Sequence, residues 1–223
     1  MVGSGPPAVP GTDGPPTGHP GTRRSKIGVL ALQGAFREHI RMLTGLGADA
    51  GEVRTPGELD GLDGLVIPGG ESTTIGLLME KGGLLTPLRE FVEARPVFGT
   101  CAGLIMLARS TVDGEQPLLQ VMDVTVRRNA FGRQTRSFEA PVDLALIPGV
   151  QETFPGIFIR APWVERTGPD VEVIARCDGR IVGVRQDRVI GVAFHPELGD
   201  DTRLHAYFLG LVTAGAVRPP VRR

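Results

Sequence analysis

The sequence carries little sulfur, almost no net charge and no long apolar run. Only two cysteines, Cys101 and Cys177, occur in 223 residues. Two thiols cannot build a disulfide framework, and no C-x-x-C pair suggests a zinc knuckle. Lysine plus arginine number 24 against 25 aspartate plus glutamate, a net charge of −1. That balance argues against a general attraction to nucleic acid or anionic lipid. No apolar stretch approaches the length of a bilayer span. There is no Asn-x-Ser/Thr sequon, and a free nucleophilic thiol suits a reducing, cytoplasmic compartment. The apolar content is ordinary for a globular protein, and the length suits one α/β domain.

Composition divides the chain. Residues 1–25 are dominated by Gly, Pro, Thr and Ser and show no apolar periodicity. Such a stretch cannot bury enough surface to offset its ordering entropy. It also lacks the charged and apolar regions of a secretory signal. The expectation is a disordered extension over 1–25, a folded domain over 26–215 and a frayed tail over 216–223.

The first half alternates strand and helix. Residues 26–32 are a short apolar run, after which Phe36, Ile40, Leu43 and Leu46 recur at helical spacing. Residues 64–68 form a second run, and Ser72 is placed to N-cap a helix carrying Ile75, Leu78 and Met79. Residues 83–94 read as a helix ending near Arg95-Pro96. Residues 97–99 read as a strand and 104–109 as the helix after it. This alternation predicts βαβ units around a mostly parallel central sheet flanked by helices. Ligands of such sheets bind beyond the carboxyl ends of the strands. Gln33-Gly34, Gly69-Gly70-Glu71-Ser72 and Thr100-Cys101-Ala102 all fall there.

The second half is richer in β patterns. Residues 121–128 alternate, and 157–160 form a short run. Residues 171–177 and 180–186 pair through Asp178-Gly179, a hairpin signal. Residues 189–194 are a further strand, and 202–211 form a last helix entered through Asp200-Asp201.

One stretch points directly to chemistry. Val97-Phe98-Gly99-Thr100-Cys101-Ala102-Gly103-Leu104 reads as a buried strand, a turn with cysteine at its tip, and a helix. That is a nucleophile elbow with G-x-C-x-G in place of G-x-S-x-G. A thiol at a helix N-terminus sits at the positive end of the dipole, which favours the attacking thiolate. Cys101 needs a base, and the chain has four histidines. His19 lies in the extension, His39 is expected on the exposed side of its helix, and His205 lies in the last helix. His195 follows an apolar strand in Phe194-His195-Pro196-Glu197. In an extended segment Glu197 would point the same way as His195, roughly 7 Å along the chain, and could fix its tautomer. The backbone N–H groups of Ala102 and Gly70 are candidate oxyanion donors. Gln33 is placed to brace the Gly70 loop.

Taken singly, each feature also has a structural reading. A lone cysteine is often a small buried hydrophobe. Gly-Gly after a strand is commonly a turn. Arg128 and Arg160 read most simply as solvated strand-end charges. Cys177 has no elbow around it, and the structural reading wins there.

Gly99-Thr100-Cys101-Ala102-Gly103 together with Phe194-His195-Pro196-Glu197 resembles the class I, triad-type glutamine amidotransferases. Four longer strings narrow the resemblance: Ala31-Leu32-Gln33-Gly34, Pro68-Gly69-Gly70-Glu71-Ser72-Thr73-Thr74, Arg128-Asn129-Ala130-Phe131-Gly132-Arg133-Gln134, and Phe158-Ile159-Arg160-Ala161-Pro162. They are similar to the glutaminase subunits of pyridoxal 5′-phosphate synthases, from about residue 26 to residue 210. The resemblance implies a flavodoxin-like three-layer fold. It implies a catalytic triad of Cys101, His195 and Glu197. It also implies L-glutamine binding by Gly70, Glu71, Ser72, Arg128, Ile159 and Arg160, which revises the simple reading of the two arginines. Leu119-Gln120-Val121-Met122-Asp123 departs from the family, which usually carries a glycine there.

The implied reaction is hydrolysis of L-glutamine to glutamate and ammonia, with no metal or organic cofactor. Pyridoxal 5′-phosphate would be a pathway product. Ammonia released into bulk water becomes ammonium, which is not a nucleophile, so an acceptor on another polypeptide is expected. The resemblance implies a (β/α)8-barrel synthase subunit in a ring-shaped hetero-oligomer. The alternatives are the glutaminase of another synthase, such as imidazole glycerol phosphate synthase, or a binding module without turnover. The strings around Gln33, Arg128 and Arg160 weigh against the first, and the intact Cys101–His195–Glu197 set against the second.

Overall fold

A computed structural model describes residues 23–130, 137–145 and 153–216. Most of the expected extension, the Phe131-Gly132-Arg133-Gln134 part of one string and the tail from residue 217 lie outside the described residues. Near the start of the described residues, the Arg23 guanidinium lies 2.6 Å from Asp63.

Five parallel strands form the centre. They are β1 (Lys26–Leu30), β2 (Asp49–Val53), β3 (Gly64–Ile67), β4 (Val97–Thr100) and β12 (Val189–Val192), in spatial order β2-β1-β3-β4-β12. The direction of progression reverses between β1 and β3, which is the switch point where doubly wound sheets open a crevice. β3, β4 and β12 are buried on both faces, as parallel strands between helix layers must be.

Past β12 the sheet becomes antiparallel. β11 (Arg180–Gln186), β10 (Glu172–Cys177), β7 (Ser137–Leu144) and β8 (Phe154–Ile159) follow in that order. The Asp178-Gly179 turn forms as expected, with φ of 47° and 74°, the two positive values a type I′ hairpin needs. β9 (Trp163–Thr167) pairs with β11 and with β6 (Met122–Arg127), and β6 pairs with β5 (Ala108–Thr111).

Consecutive residues of β4 show the two helix layers, because neighbouring side chains leave a strand on opposite faces. Phe98 meets Phe208 of α5 (Arg203–Ala216), with ring centroids 5.9 Å apart. It also meets His39 of α1 (Phe36–Gly45) at 6.3 Å. At Gly99 the opposite face meets Leu107 of α4 (Ala102–Leu107). α2 (Ser72–Lys81) packs on α4, and α3 (Leu85–Ala94) leads back to β4. Phe98, Phe154, Phe158, Phe194 and Phe208 are fully buried, each contributing about 1.5–3 kcal/mol by removal from water.

Several element bounds shift by a few residues from the sequence reading, the one beside the elbow among them. The helix after Cys101 starts and ends two residues earlier than 104–109, since Ala102 already opens it and Ala108 and Arg109 belong to β5. At the unusual Leu119–Asp123 string, Gln120 has φ 60°. A left-handed residue explains why a glycine suits this position.

Candidate active site

β4 ends at Thr100, and the chain turns at once into α4 through Cys101. Cys101 has φ 49° and ψ −103°, a region that costs a non-glycine residue about 1–3 kcal/mol. The surroundings enforce the turn. A Cβ on Gly103 would lie 1.9 Å from the Ile67 carbonyl oxygen, so only glycine lets α4 start this close to β3. The Cys101 N–H donates to the Val192 carbonyl at 2.8 Å, tying the elbow to β12. The sulfur is thereby fixed at the carboxyl edge of the sheet.

β12 runs on to His195, whose N–H donates to the Ile157 carbonyl at 2.8 Å. Pro196–Leu198 then forms one 3-10 turn. This turn, and not an extended segment, brings Glu197 back onto the imidazole, with Oε1 2.7 Å from Nδ1. The imidazole also interacts with the Cys101 side chain, whose thiol donates to the Ile159 carbonyl at 3.8 Å. Burial alone would push the imidazole down. The hydrogen bonds and charges of Cys101 and Glu197 outweigh it and raise His195 to about 10. The raised value keeps the ring an imidazolium at neutral pH, between sulfur and carboxylate. For the Glu197 carboxyl, burial works upward, but His39 and His195 hold it below its usual range.

The loop after β3 passes over this pair. A Cβ on Gly69 would fall 2.4 Å from His195 Cε1 and 3.2 Å from Cys101 Cβ. The Gly69 N–H donates to Thr100 Oγ1 at 3.1 Å. Gln33 braces the loop as expected, its Oε1 accepting the Glu71 N–H at 2.6 Å.

A cleft of about 120 Å³ opens above Cys101, lined by Gly70, Glu71, Ser72, Ile105, Arg128, Asn129, Ile159 and Arg160. All six expected substrate-binding residues therefore meet in one place. His195 and Glu197 lie behind the sulfur. Ala102 is buried as the first residue of α4, where a helix N–H has no intrahelical partner. A larger cavity of about 830 Å³ lies elsewhere, lined by Arg89, Gln120 and Arg188 among others. Its arginines are held by carbonyls, Arg89 by Leu118 and Leu119 and Arg188 by Ala94. No thiol, hydroxyl or imidazole lines it, so the smaller cleft, which holds Cys101, is the candidate site.

Two further sequence expectations need correction. The N-cap of α2 is Glu71, not Ser72. The Glu71 carboxylate accepts the Thr73 and Thr74 N–H groups at 3.1 and 2.7 Å. Burial works against its ionised form, but these bonds and the Thr74 hydroxyl prevail and lower its pKa. Ser72 is nearly buried and donates to Gln116 Oε1 at 3.2 Å. His39 is fully buried, not exposed. It lies three residues after Phe36 and four before Leu43, on the apolar stripe itself, and that spacing was the available signal.

Gln116 escaped the sequence reading altogether. Its Oε1 accepts from Arg128 Nη1 at 2.7 Å as well as from Ser72. It sits in a loop without periodicity, so no local pattern marks it. Gln116→Ala is expected to raise KM for glutamine about 5- to 20-fold with little change in kcat, the effect of losing roughly 1–2 kcal/mol of binding. Steady-state kinetics measures this, and an unchanged KM would remove Gln116 from the account.

The comparisons with known proteins agree with this geometry. Residues 29–214 match the SNO glutamine amidotransferase family. The chain belongs to this family. It is 52% identical over 188 residues to "Pyridoxal 5′-phosphate synthase subunit PdxT" of Geobacillus sp. (strain WCH70), covering 84% of this chain and 96% of that protein. It is 55% identical over 190 residues to the protein of the same name from Parafrankia sp. (strain EAN1pec), covering 84% and 93%. A crystal structure of a glutamine amidotransferase superposes with a TM-score of 0.79 at 50% identity, over 84% of this chain and 98% of that one. The amidotransferase fold read from the sequence is thereby shown.

Among the described residues of this amidotransferase, no group of three or more His, Cys, Asp or Glu side chains could hold a metal ion. Its buried histidines predict opposing effects of acid on stability. Burial, with help from His39, pushes His205 down to about 3, against an ordinary 6.5. A depressed folded pKa gives stability that is complete above the unfolded value and is lost as pH falls toward the folded one. At about pH 5.5 His205 alone costs roughly 1.4 kcal/mol. His195, raised, acts in the opposite sense and loses its contribution as pH rises through about 10. Because the gain at His195 offsets a loss of similar size at His205 over this window, the test is the difference: the urea midpoint of His205→Leu should rise relative to wild type as pH falls from about 7.5 to 5.5. Equal slopes in the two proteins would refute the assignment.

Proposed function

We propose that this chain hydrolyses L-glutamine to L-glutamate and ammonia, and supplies the ammonia to a separate synthase subunit that makes pyridoxal 5′-phosphate. One observation carries the reading. Cys101 stands on a strained elbow beside an imidazolium backed by a buried carboxylate, in a chain about half identical to pyridoxal 5′-phosphate synthase subunits.

The chemistry follows from the geometry. Glutamine enters the cleft as a zwitterion, with Arg128 and Arg160 suited to its carboxylate and Glu71 to its ammonium. Gly70, Ser72 and Ile159 complete the walls. Cys101 thiolate attacks the side-chain amide carbon. The oxyanion is held by the Gly70 and Ala102 N–H groups. His195 gives its proton to the departing nitrogen, and ammonia leaves a γ-glutamyl thioester. Neutral His195 then takes a proton from water. The hydroxide attacks the thioester, and glutamate leaves with the thiolate restored. Glu197 keeps the imidazole oriented and stabilises its charge throughout. No step requires a metal or organic cofactor.

Ammonia must reach its acceptor before water protonates it. We assign that acceptor to a (β/α)8-barrel synthase subunit within a ring-shaped hetero-oligomer, as the family resemblance implies. The described residues contain no helix long and apolar enough to cross a membrane. A free catalytic thiol fits the cytoplasm.

The test mixes the chain with the synthase subunit, glutamine, a pentose phosphate and a triose phosphate. Pyridoxal 5′-phosphate should form only when both proteins are present, and glutamine hydrolysis should rise on mixing. Product from ammonium but none from glutamine would overturn the reading.

A further inference from the structure

Behind Glu197, on the side away from the cleft, lies a buried polar cluster that the hydrolysis as derived does not use. His39 of α1, Thr100 of β4 and His205 of α5 are all fully buried. His39 Nδ1 is 2.9 Å from His205 Nε2. His39 Nε2 is 3.2 Å from Thr100 Oγ1 and 3.3 Å from Glu197 Oε2. The last contact is the important one. Glu197 Oε1 is committed to His195, whereas Oε2 is buried and has no aligned hydrogen bond. A buried carboxylate oxygen without a donor is costly.

The protons of the cluster can be assigned. A bare lone pair on His39 Nε2 would face the lone pairs of Glu197 Oε2, so Nε2 carries hydrogen, shared between Oε2 and Thr100 Oγ1. In a neutral ring Nδ1 must then accept, and His205 Nε2 must donate to it. That leaves His205 Nδ1 as a bare acceptor, and Nδ1 is the atom without a partner. The opposite tautomers would leave an unmet buried N–H there, the rarer and costlier outcome. Burial lowers both rings, which keeps them neutral. The titratable groups facing His39 are Glu197 and His195 from the turn after β12, His205 from α5 and Glu38 on its own helix.

We propose that His39, held in one tautomer by His205, is a positioning residue that donates its Nε2–H to the outer oxygen of Glu197 and so keeps that carboxylate turned toward His195. This rests on the reading of Cys101, His195 and Glu197 as the catalytic set. The same ring also braces Thr100, whose hydroxyl oxygen accepts the Gly69 N–H beside the oxyanion loop.

Steady-state glutamate release, assayed with the synthase subunit present, tests the assignment. His39→Leu removes the donor and keeps an apolar filler. It should lower kcat about 10- to 100-fold with KM for glutamine changed less than about twofold, the usual scale for an orienting partner. The alkaline limb of kcat/KM should move to lower pH, because a loosened Glu197 supports the imidazolium less. His39→Gln, which retains an N–H donor, should recover most of the rate. Should His39→Leu fail to fold, nitrogen-15 NMR of the wild-type histidine rings still decides, with both His39 and His205 expected as neutral Nε2–H tautomers. A folded His39→Leu protein with wild-type kcat and pH profile would overturn the inference, as would His39 bearing its proton on Nδ1. Cys101→Ala separates the two readings. If it retains activity, the catalytic set is wrong. If it is inactive while His39→Leu is fully active, only the positioning role fails.

Discussion

Cys101→Ala is expected to lower glutamine hydrolysis by roughly 10⁴-fold or more, the scale of losing a nucleophile outright. The fold should stand. Cys101 carries an unfavourable backbone conformation, φ 49° and ψ −103°, which serves no packing purpose that alanine would lose. Cys101→Gly should abolish activity as well and leave stability unchanged or raised, because glycine adopts that conformation without strain. An acid-quenched mixture of wild-type chain and glutamine should contain a γ-glutamyl thioester, detectable by intact mass and absent from both variants. Activity within tenfold of wild type in Cys101→Ala would place the nucleophile elsewhere. Cys177 is no obvious substitute, being 2% exposed, with burial and the nearby Asp178 and Asp143 raising its thiol pKa.

Glu197→Gln should cost about 10³- to 10⁴-fold in kcat, the penalty of misorienting a catalytic imidazole. The amide matches the carboxylate in shape but carries no charge. His195 then loses one of the interactions that oppose its burial and falls from about 10. The sign is fixed by that direction. In the wild type the imidazolium persists until pH rises through about 10, so the alkaline limb of the rate lies high. In Glu197→Gln it should move down while KM for glutamine stays nearly constant. A rate and pH profile like wild type would show that Glu197 is a bystander.

Much of the site was legible because its signals are local. A short buried strand, two glycines and a cysteine specify the elbow within five residues. His195 and Glu197 are two apart in the chain, so one turn of backbone joins them. Gln33 could be placed at the Gly70 loop because β1 and β3 are adjacent and parallel. The misreadings share another origin. Ser72 is a normal N-cap residue, but Glu71 one position earlier reaches Thr73 and Thr74 with a longer side chain. His39 was set on the polar face by residue type, although its spacing from Phe36 and Leu43 placed it inside. Gln116 gains meaning only from partners 12 and 44 residues away, and His205 from one 166 residues away, and no pattern along the chain contains them. The antiparallel half was read in fragments. β7, for example, alternates exposed with half-buried positions over most of its length, which gives little apolar contrast to detect.

The central claim is that Cys101 releases ammonia that a second polypeptide uses without exchange with solvent. Glutamine labelled with nitrogen-15 in its side-chain amide, given to the complex in the presence of excess unlabelled ammonium, tests it most directly. The label in pyridoxal 5′-phosphate is then read by mass. The account predicts product that keeps the label with wild-type chain, and unlabelled product with Cys101→Ala. Product from the wild-type complex labelled only to the extent of the bulk ammonium pool would contradict it.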